Sequence, residues 1–344
     1  MKKWLNRLFI DGLSGMATGL FSTLIVGTII QQIGNLIGGN IGNFLYLFGK
    51  LAAALTGAGI GCGVACKFKE SPLVVLSAAT SGMVGAFASQ ITAGTILSET
   101  EAVILSGPGE PLGAFIAAYV GIEIGHLIAG KTKLDIVLTP IVCILAGSAV
   151  GLVLSPPISA FMNSLGAMIN WGTEQQPFLM GIILTLPISS AALGVALSLS
   201  GLAAGAATVG CCANMVGFAV ASYKENKMGG LLAQGIGTSM LQVPNIVRKP
   251  IIWLPAIVAS AILGPLSTMV FHMTNNPVGS GMGSAGLVGQ IMTFQTMAPA
   301  EGAPLVLFKI VLLHFLLPGL IAWLVSWFMR KKGWIKDGDM KLDV

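Results

Sequence analysis

An all-α polytopic membrane protein, with about ten transmembrane helices and two re-entrant hairpins, is the fold class this sequence predicts. Three observations predict it. Of 344 residues, 54% are hydrophobic and only 9% are charged, where a soluble domain carries about 25% charged residues. The mean hydropathy is +0.87. Apolar stretches of about 20 residues, each enough to cross a bilayer as a helix, recur along the chain between short basic clusters. Residues 1–329 read as a single membrane domain and 330–344 as a short cytoplasmic tail, too short to hold a core of its own.

The apolar segments fall at 8–30, 44–66, 73–97, 112–130, 135–154, 178–199, 200–222, 229–246, 251–272 and 304–329. Met1-Lys2-Lys3-Trp4 leads into a long apolar run with no small-residue cleavage site, so the first segment reads as an uncleaved span. Basic clusters lie at Lys2-Lys3-Arg7, Lys67-Lys69, Lys131-Lys133, Arg248-Lys249 and Arg330-Lys331-Lys332. Ten spans with both termini cytoplasmic place all five inside, as the positive-inside rule requires. Residues 223–227 are the exception to that count, and a re-entrant 229–246 changes the parity of the middle. The net charge of +5 therefore orients the chain and does not signal nucleic-acid binding.

Polar side chains punctuate two of the apolar stretches. In Gly181-Ile-Ile-Leu-Thr-Leu-Pro-Ile-Ser-Ser-Ala-Ala192, Thr185, Ser189 and Ser190 flank Pro187. In Leu231–Ile246, the side chains of Gln234, Thr238, Ser239, Gln242 and Asn245 fall near the i, i+4, i+8 spacing of one helix face. Pro and Gly free backbone groups that hydrocarbon cannot satisfy, so such sequence survives at membrane depth only inside protein or beside a wet cavity. Residues 275–295 hold too many glycines for a lipid-facing helix and read as a hairpin or broken helix. A cavity of amides, hydroxyls and free backbone suits a polar, mostly neutral solute.

Glu110 and Glu301 each follow Gly or Pro and precede an apolar span. Two readings stand for them: capping of a helix N-terminus, or a carboxylate at a hairpin tip that holds solute hydroxyls or a proton. Asn214 and Gln290 lie in glycine-rich apolar sequence, and His272 ends a span beside Asn275 and Asn276. The candidate substrate-binding set is thus Glu301, Glu110, Asn214, Gln242, Asn245, Asn276, His272 and Gln290. Glu123 and His126, three residues apart, read as a structural pair, and His314 as a satisfied core residue. A short internal similarity links Ser81-Gly82-Met83, Gln90 and Glu110 with Ser280-Gly281-Met282, Gln290 and Glu301; interrupted segments at matching positions mark transporter sites.

No catalytic or metal site is expected, and no cofactor. The five cysteines all sit in apolar stretches, and Cys62 and Cys66 have no His near them in sequence. There is no phosphate-binding glycine loop, nucleophile elbow or His-Glu-x-x-His.

Five runs carry a family resemblance: Lys133–Pro140, Leu184–Ala192, Gly201–Cys212, Gly237–Ile246 and Gly279–Gln290. Together they make the chain resemble the EIIC-type membrane proteins of the phosphotransferase system, in the subfamily that includes the perfringolysin O regulator proteins. The resemblance implies a cell-membrane permease with about ten helices and two re-entrant hairpins, usually a homodimer. It implies a sugar-like solute held by a hairpin Glu with nearby His and amide groups. Glu301 in Ala298-Pro-Ala-Glu-Gly-Ala-Pro304 and Glu110 in Gly107-Pro-Gly-Glu-Pro-Leu112 resemble the family's Gly-Ile-Thr-Glu-Pro element in part. No IIA or IIB phosphocarrier domain is visible in this chain, so the expectation is that separate proteins supply them or that transport proceeds without phosphorylation. The alternative is a membrane sensor that binds a solute and influences toxin or sugar gene expression; an intramembrane enzyme is the third reading.

Overall fold

The computed structural model describes residues 7–185 and 197–342, so Lys2, Lys3, Pro187, Ser189 and Ser190 lie outside the described residues. Every named element is helical, and the described residues contain no strand beyond two isolated bridges. Six of the described helices are long and apolar enough to cross a membrane, and up to seven if one bent pair counts as a span. The all-helical polytopic class follows directly. The chain divides into two compact units, Met1–Asn163 and Ser164–Val344.

In the first unit, α1 (Leu13–Leu20) continues through a π-turn into α2 (Val26–Ile37), and α3 (Gly39–Ala54) bends by 55° into α4 (Thr56–Lys67). The span expected at 73–97 is α5 (Pro72–Ala86) followed by the short α6 (Ala88–Thr92). Ser71 caps α5 by accepting from the Val74 amide, and Pro72 suits the first helical turn. After an exposed loop, α7 (Pro111–Ile128) runs back beside α5, and α8 (Asp135–Gln175) leaves the unit. The 41 residues of α8 include Pro140, Pro156 and Pro157.

In the second unit, α9 (Pro177–Thr185), α13 (Leu254–Pro265) and α17 (Leu317–Lys331) pack around α10 (Gly201–Ala221). The sequence of α10 is almost entirely Gly, Ala, Cys, Val and Thr, with nearly every side chain buried. Small residues let helix backbones approach closely where lipid gives no hydrophobic drive between helices. Gly205 shows why: a Cβ there would collide with the carbonyl of Met273.

Two broken segments enter this unit from opposite ends of α10. The C-terminal hairpin starts at the Gly201 end, where the Asn275 amide bonds the Gly201 carbonyl at 3.2 Å. It descends through α14 (Pro277–Ser280), whose Gly279 carbonyl accepts from Thr208, to Ser284, which contacts the Met215 sulfur at 3.7 Å. A 3-10 turn at Ala285–Leu287 reverses it, and α15 (Val288–Glu301) climbs back. On the way Gln290 meets Cys212 and Met297 meets Thr274. Both legs therefore lie at the Gly201 end.

The middle hairpin starts at the Ser222 end with α11 (Tyr223–Leu232). A π-turn at Ala233–Gly237, an extended Thr238 (φ −159°) and a 3-10 turn at Ser239–Gln242 lead into α12 (Val243–Arg248). Lys224, near its start, pairs with Asp337, and Lys249, just past its end, pairs with Asp339. Residues 229–246 thus return to the end they came from. The turns Ala233–Gly237 and Ala285–Leu287 pack against each other, so the two hairpins meet beside α10.

The span from α16 (Ala303–Ile310) through a π-turn into α17 ends at Lys331, and the chain then folds back. Ile335, Met340 and Leu342 are buried, the first two in a cluster with Phe218, Ile246, Ile252 and Met329. The segment read from sequence as a short tail is packed onto the second unit.

Candidate functional site

The C-terminal hairpin packs on α10 through neutral polar side chains. Asn275 holds the C-terminal hairpin together: its Nδ2 lies 2.8 Å from Thr208 Oγ1, 3.0 Å from Thr293 Oγ1 and 3.2 Å from the Gly289 carbonyl. The Asn276 side chain caps α14 by accepting from the Gly279 amide at 3.0 Å. Deeper in, Gln290 donates through Nε2 to the Cys212 sulfur at 3.3 Å. Its carbonyl oxygen has no partner among the described residues, although the side chain is only 7% exposed. A buried polar atom left unpaired costs free energy and calls for an explanation.

On the same helix α10, Asn214 is fully buried; it donates to the Gly210 carbonyl at 3.0 Å and accepts from Trp253 Nε1 at 2.9 Å. The middle hairpin carries a relay of amides. Gln234 donates to Ser222 (2.9 Å) and to the Gly230 carbonyl (3.0 Å), and its own oxygen accepts from Gln242 at 2.9 Å. The Gln242 oxygen accepts from Asn245 at 2.9 Å. Gln242 and Asn245 also donate to the carbonyls of Met340 and Lys341, each at 2.9 Å. The helical spacing read in the sequence is absent here, since Thr238 breaks the helix; the amides converge because the hairpin folds.

The carboxylates divide between the units. Glu301 is the last residue of α15, and Gly302 (φ 85°) rather than Glu301 precedes α16, so it does not cap that helix. Its Oε2 meets Lys309 Nζ at 2.5 Å, and Lys309 also donates to the Phe271 carbonyl at 2.8 Å. His272, next along the chain, is exposed with φ 45°. Glu110 is in the first unit, at the N-cap of α7, where Ser89 donates to it at 3.2 Å. The matched similarity between halves does not fold alike: Ser81 lies in the unbroken α5 and donates to the Cys143 carbonyl at 3.1 Å, whereas Ser280 ends the four-residue α14.

Glu123 and His126 bind other partners. Glu123 accepts from Arg7 Nε at 2.7 Å, while Glu70 accepts from Arg7 Nη2 at 2.9 Å and meets His126 Nδ1 at 2.8 Å. Arg7 also stacks 4.2 Å over the Phe68 ring. His314 is buried as expected, but neither ring nitrogen has a hydrogen-bond partner among the described residues. Among the described residues no three His, Cys, Asp or Glu side chains cluster as metal ligands.

The Ser222 end also carries ion pairs. Hydrogen bonding from Lys224, with Arg330 close by, holds the Asp337 carboxyl below the usual carboxylate range. Partial burial pushes Asp339 up, but Lys249 and the Lys336 amide outweigh it and the net shift is downward. Sequence reasoning missed Thr208, Trp253, Asn275, Thr293 and Lys309 as members of these networks. Only Lys309 carried a clear signal, as a lone charge inside the apolar run 304–329.

Compared with individually curated proteins, the chain matches none. Compared with family models, residues 10–342 match that of the phosphotransferase system EIIC proteins. That match takes in both units, both hairpins and the packed C-terminal segment. With its helical, membrane-spanning architecture, the chain belongs to the EIIC family of the phosphotransferase system.

Proposed function

We propose that the hairpin junction of the second unit is the solute site of a permease that moves a small, neutral, hydroxyl-rich solute, a sugar or sugar derivative, by alternating access. Family membership makes the chain a membrane component of a sugar phosphotransferase system, crossing the bilayer several times. The finer reading is ours. The observation that carries it is the Gln290 carbonyl oxygen, buried against α10 and without a partner among the described residues. A solute hydroxyl is the partner such an acceptor lacks.

The neighbouring groups support the same reading. Gln290, Asn214, Asn275 and Asn276 are all uncharged, and the Glu301–Lys309 pair further along the hairpin is closed on itself. We assign Gln290 and Asn214 to solute contact, and Asn275 and Asn276 to holding the hairpin. Glu301 and His272 border the mouth at the Gly201 end, Gln242 and Asn245 tie down the middle hairpin, and Glu110 serves the first unit. Discontinuous helices that meet from opposite sides are the form of a moving gate in many transporters. Phosphorylation on separate IIA and IIB proteins, assembly as a homodimer, and cytoplasmic termini complete the proposal.

Counterflow of labelled sugars and sugar acids into proteoliposomes containing the purified chain tests it. Saturable counterflow that is lost in Gln290→Met supports the assignment. Saturable binding without flux favours the sensor reading instead. Neither binding nor flux across the panel rejects both.

A further inference from the structure

The C-terminal segment 334–342 grips the middle hairpin at every level, and the permease reading gives that grip no task. Asp337 pairs with Lys224 on the entering leg, and Asp339 with Lys249 at the exit. Asn226, also on the entering leg, clasps the backbone from both sides: its Nδ2 donates to the Met340 carbonyl at 2.8 Å and its Oδ1 accepts from the Leu342 amide at 2.9 Å. Gln242 and Asn245, from the returning part, donate to the Met340 and Lys341 carbonyls. One short segment of bends and turns therefore bridges both legs. Met340 is fully buried behind these bonds.

Besides this segment, the hairpin is held by Glu225, which pairs with Arg330 at 2.8 Å, by Ile246 in the buried cluster, and by its turn against α10. It is broken into four short pieces, and its residues 223–229 include six exposed or half-buried positions flanking a non-helical Lys227. Short isolated helices are marginal without packing. The strap adds packing, and one of its two ion pairs sits in water: the Lys224 and Asp337 side chains are 65% and 68% exposed, while Lys249 and Asp339 are 33% and 20% exposed. Exposed pairs are screened by salt and exchange readily with other ions.

We propose that residues 334–342 are a releasable strap that holds the middle hairpin closed, so that opening at the Ser222 end requires the strap to leave. The gating part of this statement rests on the permease reading; the holding part does not. The two are separable by experiment.

Hydrogen exchange on the purified full chain reads the holding directly. The double variant Asp337→Lys/Asp339→Lys reverses both anchoring charges. Amides in 233–248 then exchange at least tenfold faster, while α10, α13 and α17 keep their wild-type protection. Adding Lys224→Asp/Lys249→Asp, which restores opposite charges, returns the exchange toward wild type. Unchanged exchange in 233–248 overturns the proposal, and so does uniform loosening of the whole second unit, which makes the segment ordinary core. Counterflow of the sugar panel reads the gating: strap release raises it several-fold, and a fall overturns the gate. If the wild-type chain moves none of those sugars, the permease reading fails while the exchange result still decides whether the strap holds.

Discussion

Gln290 sets two demands against each other. Leaving an amide oxygen buried and unpaired costs roughly 1–3 kcal/mol, and no described residue offsets it. Proteins tolerate such a cost where function requires it. Gln290→Met keeps the volume, removes the orphaned acceptor and gives up only a weak bond to the Cys212 sulfur. The melting temperature of the ligand-free variant should therefore stay level or rise, while solute affinity falls at least tenfold, about 1.4 kcal/mol. Thermal-shift titration with the sugar panel measures both at once. An unchanged affinity would remove Gln290 from the site. Lys309 shows the other side of the residue scale: its charge inside an apolar run was visible in sequence, but its partner was not. Glu301 lies eight residues before it, across the break at Gly302, and no helical spacing joins the two.

At the scale of elements, the sequence marks where helices break but not which way the broken pieces run. Pro and Gly flag 229–246 and 275–295 as interrupted, and that much needs only backbone chemistry. Whether a short apolar piece crosses or returns depends on what its two ends touch. For the middle hairpin those partners are Asp337 and Asp339, about ninety or more residues further on. The even spacing of Gln234, Thr238 and Gln242 reads as one helix face only because periodicity presumes an unbroken helix. In the C-terminal hairpin the organising residue is Asn275, whose single amide group joins α10, the start of the hairpin and α15. Asn275→Ala should destabilise the hairpin by about 2–4 kcal/mol, from lost bonds and newly unpaired hydroxyls. Hydrogen exchange should localise the loss to 277–301 with α13 and α17 unaffected. Wild-type protection of α15 in that variant would show that the hairpin is held by apolar packing alone.

For the whole molecule, composition and hydropathy sufficed for the class, because a chain with so few charges has no other way to bury its surface. Sidedness is a separate matter. In the second unit the Ser222 end gathers Lys224, Lys227, Arg248, Lys249 and Arg330, while the Gly201 end has Lys309 closed on Glu301. The positive-inside rule assigns the basic end to the cytoplasm. Impermeant thiol labelling in a background without the five native cysteines tests sidedness and both hairpins together. Lys227→Cys and Arg248→Cys flank the middle hairpin at exposed positions. If that segment returns, both label only from the cytoplasmic face; if it spans, they label from opposite faces. His272→Cys and Ala300→Cys, exposed on the two legs of the C-terminal hairpin, should both label only from outside. The first pair answers a question that hydropathy leaves open, since 229–246 is apolar enough to be taken for a span. A split result for Lys227 and Arg248 would also separate Lys224 from Lys249, and the strap could not reach both.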